Sequence, residues 1–114
     1  MEKIVERGML YDFYGELLTA HQKAVYEEAV FNDMSLSEIA EQYEISRQGV
    51  HDLLKRCDKI LSDYEDKLHL VEKFMTIRDK VQRIDELLDG YEADKAQEIV
   101  NNIRRISDEI IEEL

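Results

Sequence analysis

The chain has 114 residues, enough for one domain or a small domain with an extension, and 44% are hydrophobic and 37% charged, with no Pro and only four Gly. This composition points to an all-α protein, because the turn chemistry that β-hairpins need is nearly absent. No apolar run is long enough to span a membrane, and the single Cys excludes an internal disulfide and argues against a structural zinc site.

Fifteen Lys and Arg face 27 Asp and Glu, a net charge of -12. That balance works against loose binding to phosphate, which Lys and Arg contacts drive. The charge is uneven, however. Ser46 to Ile60 carries Arg47, Lys55, Arg56 and Lys59 against Asp52 and Asp58, a locally basic piece in an acidic chain. The opening MEKIVERGML is charged throughout and lacks the apolar core of a signal peptide, so a cytoplasmic location is expected.

In chain order, residues 3 to 18 predict a first helix with Leu10, Phe13, Tyr14, Leu17 and Leu18 on its apolar face. Gly8 and Gly15 weaken it, by about 1 kcal/mol each relative to Ala. Thr19 with Gln22 forms a capping box for a second helix reaching about Phe31, with Val25, Tyr26, Ala29 and Val30 buried; Asn32 and Asp33 end it. Ser35 with Glu38 is another capping box, and Leu36, Ile39, Ala40 and Tyr43 follow at helical spacing. Ile45 is an aliphatic in a tight turn, Ser46 an N-cap, and Val50, Leu53, Leu54 and Cys57 repeat the same spacing. Two short amphipathic helices joined this way make a helix-turn-helix.

No Gly or Pro follows until Gly90. Apolar residues continue at 57, 61, 64, 68, 71 and 75, then slip by one to 77, 81, 84, 88 and 91, a coiled-coil type of seam. One long helix or two nearly continuous ones are expected from Ser46 to Asp89. Gly90 stands where a left-handed C-cap is wanted. A last helix from about Glu92 carries Ala93, Ala96, Ile99, Val100, Ile103, Ile106, Ile110 and Leu114 on its inner face. It should fold back as an antiparallel hairpin. The expected domains are 1–62, a helix-turn-helix bundle, and 63–114, a hairpin for dimerisation or interaction. A two-helix hairpin buries each stripe only in part, so a homodimer is expected.

The candidate nucleic-acid-binding residues lie on the second helix of the motif: Arg47, Gln48, His51, Lys55, Arg56 and Lys59. In this motif the second helix enters the major groove with its N-terminal residues on base edges. Gln48 suits adenine, and Lys55 and Arg56 suit guanine or phosphate. Asp52 is a poor neighbour for phosphate and suits either cytosine or an i, i+4 pair with Arg56. Gly49 leaves a gap on the reading face. The competing reading is an ordinary solvated face with ion pairs of little energetic consequence. His21, His51 and His69 lack metal-ligand spacing, and Cys57 falls on a core position. No phosphate loop, nucleophile elbow or metal signature occurs, so neither an enzyme nor a cofactor is expected.

The segment LLTAHQKAVYEEAVFNDMSLSEIAEQYEISRQGVHDLLKRCDKIL resembles region four of bacterial sigma factors, which reads the -35 promoter element. Glu44 departs from that pattern, which usually has Gly there, as does the acid Asp52. The chain has no room for the domain that reads the -10 element, so the resemblance is to the module. A wider likeness runs from LYDFYGELLTAHQ through SLSEIAEQYEISRQGVHDLLKR to the acidic C-terminus. It is similar to the YlxM family of Gram-positive bacteria, small helix-turn-helix proteins usually encoded beside the signal recognition particle GTPase. That resemblance implies a regulatory role with signal recognition particle components as partners. It transfers no catalytic residue, only Arg47, Gln48, His51, Lys55 and Arg56 as matches to the recognition face. Three functions follow: a nucleic-acid-binding regulator acting on DNA or RNA through residues 46–59, an adaptor whose acidic surface meets a basic partner such as the RNA-binding domain of that GTPase, or a purely structural dimer module.

Overall fold

The computed structural model describes residues 2–114. Among them are six α-helices and no strand: α1 (Lys3–Tyr14), α2 (Ala20–Val30), α3 (Leu36–Tyr43), α4 (Arg47–Leu68), α5 (Leu70–Asp89) and α6 (Ala96–Glu113). The protein is all-α, as its composition implies. The chain divides into two compact units, Met1–His69 and Leu70–Leu114.

The helices of the first unit start where side chains can satisfy their free N–H groups. Thr19 accepts from the Gln22 amide at 3.2 Å while Gln22 returns a bond to the Thr19 amide at 2.9 Å. Ser35 and Glu38 do the same at the start of α3. Ser46 caps α4 through the Gly49 amide at 2.9 Å. Between α3 and α4 the chain turns through Glu44, whose φ of 55° is left-handed. The Ile45 amide reaches back to the Ala40 carbonyl at 3.1 Å, the long bond of a Schellman turn.

The core of this unit joins Tyr14, Leu18, Val25, Tyr26, Ile39, Val50, Leu54, Cys57 and Leu61, all nearly or fully buried. Val50, Leu54, Cys57 and Leu61 come from one face of α4, so this helix forms the spine against which α1, α2 and α3 pack.

Polar bonds triangulate α1, α2 and α4. Tyr11 of α1 donates to Glu27 of α2. Tyr14 of α1 donates to Glu65 of α4 at 2.5 Å. Tyr26 of α2 donates to Asp58 of α4 at 2.6 Å, and Arg7 of α1 donates to the same Asp58 oxygen at 2.9 Å while lying over the Tyr26 ring. Each pair among α1, α2 and α4 thus shares a phenol–carboxylate bond, which fixes the azimuth of α4 and with it the residues it presents outward.

The first helix is shorter than its periodicity predicts. It ends at Tyr14, and Gly15–Leu17 form a 3₁₀ turn. Gly15 is needed there, since a Cβ would lie 2.9 Å from the Tyr11 ring. This turn swings Leu18 inward and leaves Phe13 and Leu17 exposed, so the expected apolar face is only half used.

Of the two expectations for Ser46 to Asp89, the structure has the second, two helices in close succession: α4 ends at His69, whose φ is 55°, and α5 starts at Leu70. His is among the residue types that tolerate this conformation, and no Gly or Pro marks the break. Gly90 is not the left-handed cap that the sequence suggests, because every positive φ falls on a non-glycine: Asp33, Glu44 and His69.

In the second unit α5 and α6 pack as an antiparallel hairpin. Lys80 bonds Glu109 at 2.8 Å, and Arg83, Glu86 and Leu87 share a cleft with Arg105 and Asn102. Ile99 and Ile106 are its most buried residues on α6. Ala93 belongs to a 3₁₀ turn ahead of α6, and Val100 and Leu114 are exposed rather than on the inner face. On α5 the expected seam is split: Ile77, Ile84 and Leu87 are half-buried, whereas Val81 and Leu88 are exposed, as is Tyr91 just beyond the helix.

Candidate nucleic-acid interface

The outward face of α4 begins at its N-cap. Gly49 sits directly against that cap, for a Cβ would come to 3.0 Å from the Ser46 hydroxyl. Its amide takes the cap bond that the Gln22 and Glu38 amides take on α2 and α3. Arg47, Gln48, His51, Lys55, Arg56 and Lys59 are all exposed on α4. The structure distributes them over three surfaces.

Arg47, Gln48 and His51 line a concavity with Leu36, the first residue of α3. Lys55 turns toward α1 and lines a concavity of about 400 Å³ with Lys3, Arg7, His51, Leu54 and Asp58. Arg56 turns the other way and lines one of about 390 Å³ with Thr19, His21, Gln22, Asp52 and Leu53. Neighbours in sequence therefore occupy opposite flanks of the helix, as the 100° step between successive helical residues requires. Lys59 is engaged by Asp63 at 3.2 Å, one turn further on. Arg47, Lys55 and Arg56 form no salt bridge among the described residues.

Asp52 does not pair with Arg56. It accepts from the Gln48 amide at 2.9 Å and approaches the His51 ring at 3.4 Å. The Gln48 bond, reinforced by His51, holds its carboxyl below the usual carboxylate range. It stays ionised at neutral pH and ties up the Gln48 donor in the free protein. Cys57 lies on the opposite, buried face, where burial, with Asp58 adding to it, pushes the thiol up to about 11. A thiol so protonated is a packing group.

Lys3, Arg7 and His21 join this surface without any signal in the sequence. Arg7 lies 51 positions from its partner Asp58, and only the packing of α1 on α4 brings them together. His21 sits edge-on to the Tyr43 ring at 6.1 Å between centroids, and His51 and His69 lie elsewhere on the fold. Among the described residues no group of three His, Cys, Asp or Glu is placed to hold a metal. No helix of the described residues is long and apolar enough to cross a membrane.

A capped helix carrying unpaired cations, seated behind a shorter helix across a Schellman turn, is the helix-turn-helix arrangement. A family model described as "Putative helix-turn-helix protein, YlxM / p13 like" matches residues 1–103. The chain belongs to this family. A UPF0122 protein of Desulforamulus reducens is 42% identical over 112 residues, covering 98% of this chain and 96% of the relative. One from Clostridium kluyveri is 40% identical over 104 residues, with 91% and 94% covered. The UPF0122 protein YlxM of Bacillus subtilis is 42% identical over 90 residues, with 79% and 82% covered. The family description places the chain among helix-turn-helix proteins and names no reaction.

Proposed function

We propose that this protein is a non-enzymatic regulator that binds nucleic acid through α4. The observation that carries the reading is the outward face of that helix. Arg47, Gln48, His51, Lys55 and Arg56 stand exposed on a spine whose other face is locked into the core. The backbone of the helix is fixed in this way before any binding, and the long polar side chains reach both base edges and phosphates. The rest of the chain is acidic, and the net charge of -12 over the whole chain disfavours unspecific attachment. Binding then depends on the few cations around α4.

The test is a gel-shift of the purified protein against duplex DNA and against the RNA of the signal recognition particle, at two salt concentrations. Binding should weaken as salt rises, and Lys55→Ala with Arg56→Ala should abolish it. Unchanged binding by that double variant would defeat this site. The family resemblance also suggests a place beside signal recognition particle components. A rival adaptor role would use the acidic surface against a basic protein. Capture of the particle GTPase that survives nuclease and the Lys55/Arg56 change, and is lost on truncation after Tyr64, would favour it.

We also infer a homodimer. On α5 the residues Val81 and Leu88 stand seven residues apart and are 45% and 53% exposed. A repeat of that period is what a partner helix packs against.

A further inference from the structure

Away from α4, the hairpin of the second unit carries a basic feature of its own. Leu70–Leu114 is acidic, with twelve Asp and Glu against seven Lys and Arg. Acids are therefore in surplus. Yet the exposed side chains of Arg83 on α5 and Arg105 on α6 form no ion pair and no hydrogen bond among the described residues. Both line one cleft of about 230 Å³, together with Glu86, Leu87 and Asn102. Asn102 is half-buried, and its side-chain amide is likewise without a protein partner among the described residues.

The acid best placed to neutralise these cations is engaged elsewhere. Glu109 stands one turn beyond Arg105 on α6 and is taken by Lys80 at 2.8 Å. That bond holds the Glu109 carboxyl below the usual carboxylate range, and the charges of Arg83 and Arg105 add to the effect, so both guanidiniums lie within electrostatic reach of it. Glu86 is the acid of the cleft lining; it is exposed and makes no ion pair among the described residues.

Two like charges on one hollow repel each other, and an anion between them removes that cost. A guanidinium presents a planar fork of donors that fits an oxyanion two bonds at a time. Two forks and an amide offer more donors than a carboxylate, with about four lone-pair sites, can accept. A phosphate monoester brings three strong acceptor oxygens and a charge of about −1.5 to −2 at neutral pH, enough for two cations.

We propose that the cleft between α5 and α6 binds a phosphate dianion, free or as a monoester, through the Arg83 and Arg105 guanidiniums and the Asn102 amide. The site is separate from α4 and does not rest on the nucleic-acid reading. It makes the hairpin a ligand-binding element whose two helices the anion bridges.

The experiment titrates the isotope-labelled full chain with inorganic phosphate at constant ionic strength, followed by nuclear magnetic resonance. The backbone signals of Arg83, Leu87 and Arg105 and the side-chain amide of Asn102 should shift and saturate. Arg83→Ala and Arg105→Ala should each weaken binding about tenfold or more, the loss expected for a hydrogen bond to a charged group. Arg83→Lys keeps the charge without the fork and should fall between. Glu86→Gln, which removes the opposing charge, should tighten binding. Arg104→Ala, outside the cleft lining, should leave it unchanged. Circular dichroism checks that each variant stays folded. A nucleoside monophosphate separates the two sources: tighter binding than inorganic phosphate assigns a monoester, and equal binding assigns the bare ion.

Shifts that grow without saturating mean an adventitious ion only and defeat the site. Saturating shifts confined to α4, or an affinity unmoved in both Arg→Ala variants, defeat it as well. Acetate binding at the same signals as tightly as phosphate replaces the phosphate with a carboxylate and overturns the assignment.

Discussion

At the scale of single residues, Glu44 shows how a motif is kept when its usual residue is not. The turn between α3 and α4 needs a left-handed residue, and Glu44 supplies it at φ 55°. A side chain in that region costs roughly 1–2 kcal/mol. Glycine would remove this cost but lose more backbone entropy on folding, about 0.5–1 kcal/mol. Glu44→Gly should therefore stabilise the protein by up to about 1 kcal/mol, read as a rise in thermal midpoint of a few degrees. A fall would mean that the Glu44 side chain holds a contact of its own. The same lesson limits what glycines reveal in this sequence. Gly90 looks like a left-handed cap and is not one, while Asp33, Glu44 and His69 take that conformation without any mark. Gly15 sits so close to the Tyr11 ring that a Cβ would come to 2.9 Å from it, while Gly49 holds the cap position that Gln22 and Glu38 fill on α2 and α3.

At the scale of elements, α4 has two parts with different duties. Residues 47–56 carry the proposed binding face while Val50 and Leu54 anchor it, and residues 57–65 bind the helix to the rest of the unit through Leu61, Tyr64 and Glu65. The caps, the apolar faces of α2, α3 and α4, and the helix-turn-helix were legible because each is a local pattern of hydroxyls, carboxylates and aliphatics at fixed spacing. The polar bonds that set the azimuth of α4 were not, because Arg7, Tyr14 and Tyr26 meet their partners 32 to 51 positions away. Asp58 accepts two of these bonds, and Tyr26 is fully buried. Asp58→Ala should cost about 2–3 kcal/mol, since it leaves a buried phenol and a half-buried guanidinium unpaired. Arg7→Ala should cost less, because Tyr26 keeps its acceptor. Urea titrations of the two variants check the order; equal midpoints would mean that the cluster is ornamental. The candidate site was readable in part for the same reason. Its six residues on α4 follow from helical periodicity, while Lys3, Arg7 and His21 enter only through packing.

At the scale of the whole molecule, the second unit raises the question of copies. The seam expected along α5 is shared between two surfaces: Ile77, Ile84 and Leu87 serve the hairpin with α6, and Val81 and Leu88 remain outside. Sedimentation at micromolar concentration should report a dimer, and Val81→Glu with Leu88→Glu should shift it to monomer without unfolding. A wild-type monomer at that concentration would sink the dimer. A dimer would carry two copies of α4, and helix-turn-helix dimers favour half-sites about one turn of DNA apart.

The triangle of tyrosines around α4 has a practical consequence. The chain contains six Tyr and no Trp, so its ultraviolet emission comes from phenols alone. Tyr11, Tyr14 and Tyr26 each donate to a carboxylate, and a phenol in such a bond passes its proton in the excited state and goes dark. Half of the chromophores should therefore be quenched while α1, α2 and α4 are held together and brighten when the helices part, which a denaturant titration followed by tyrosine emission would read without a label.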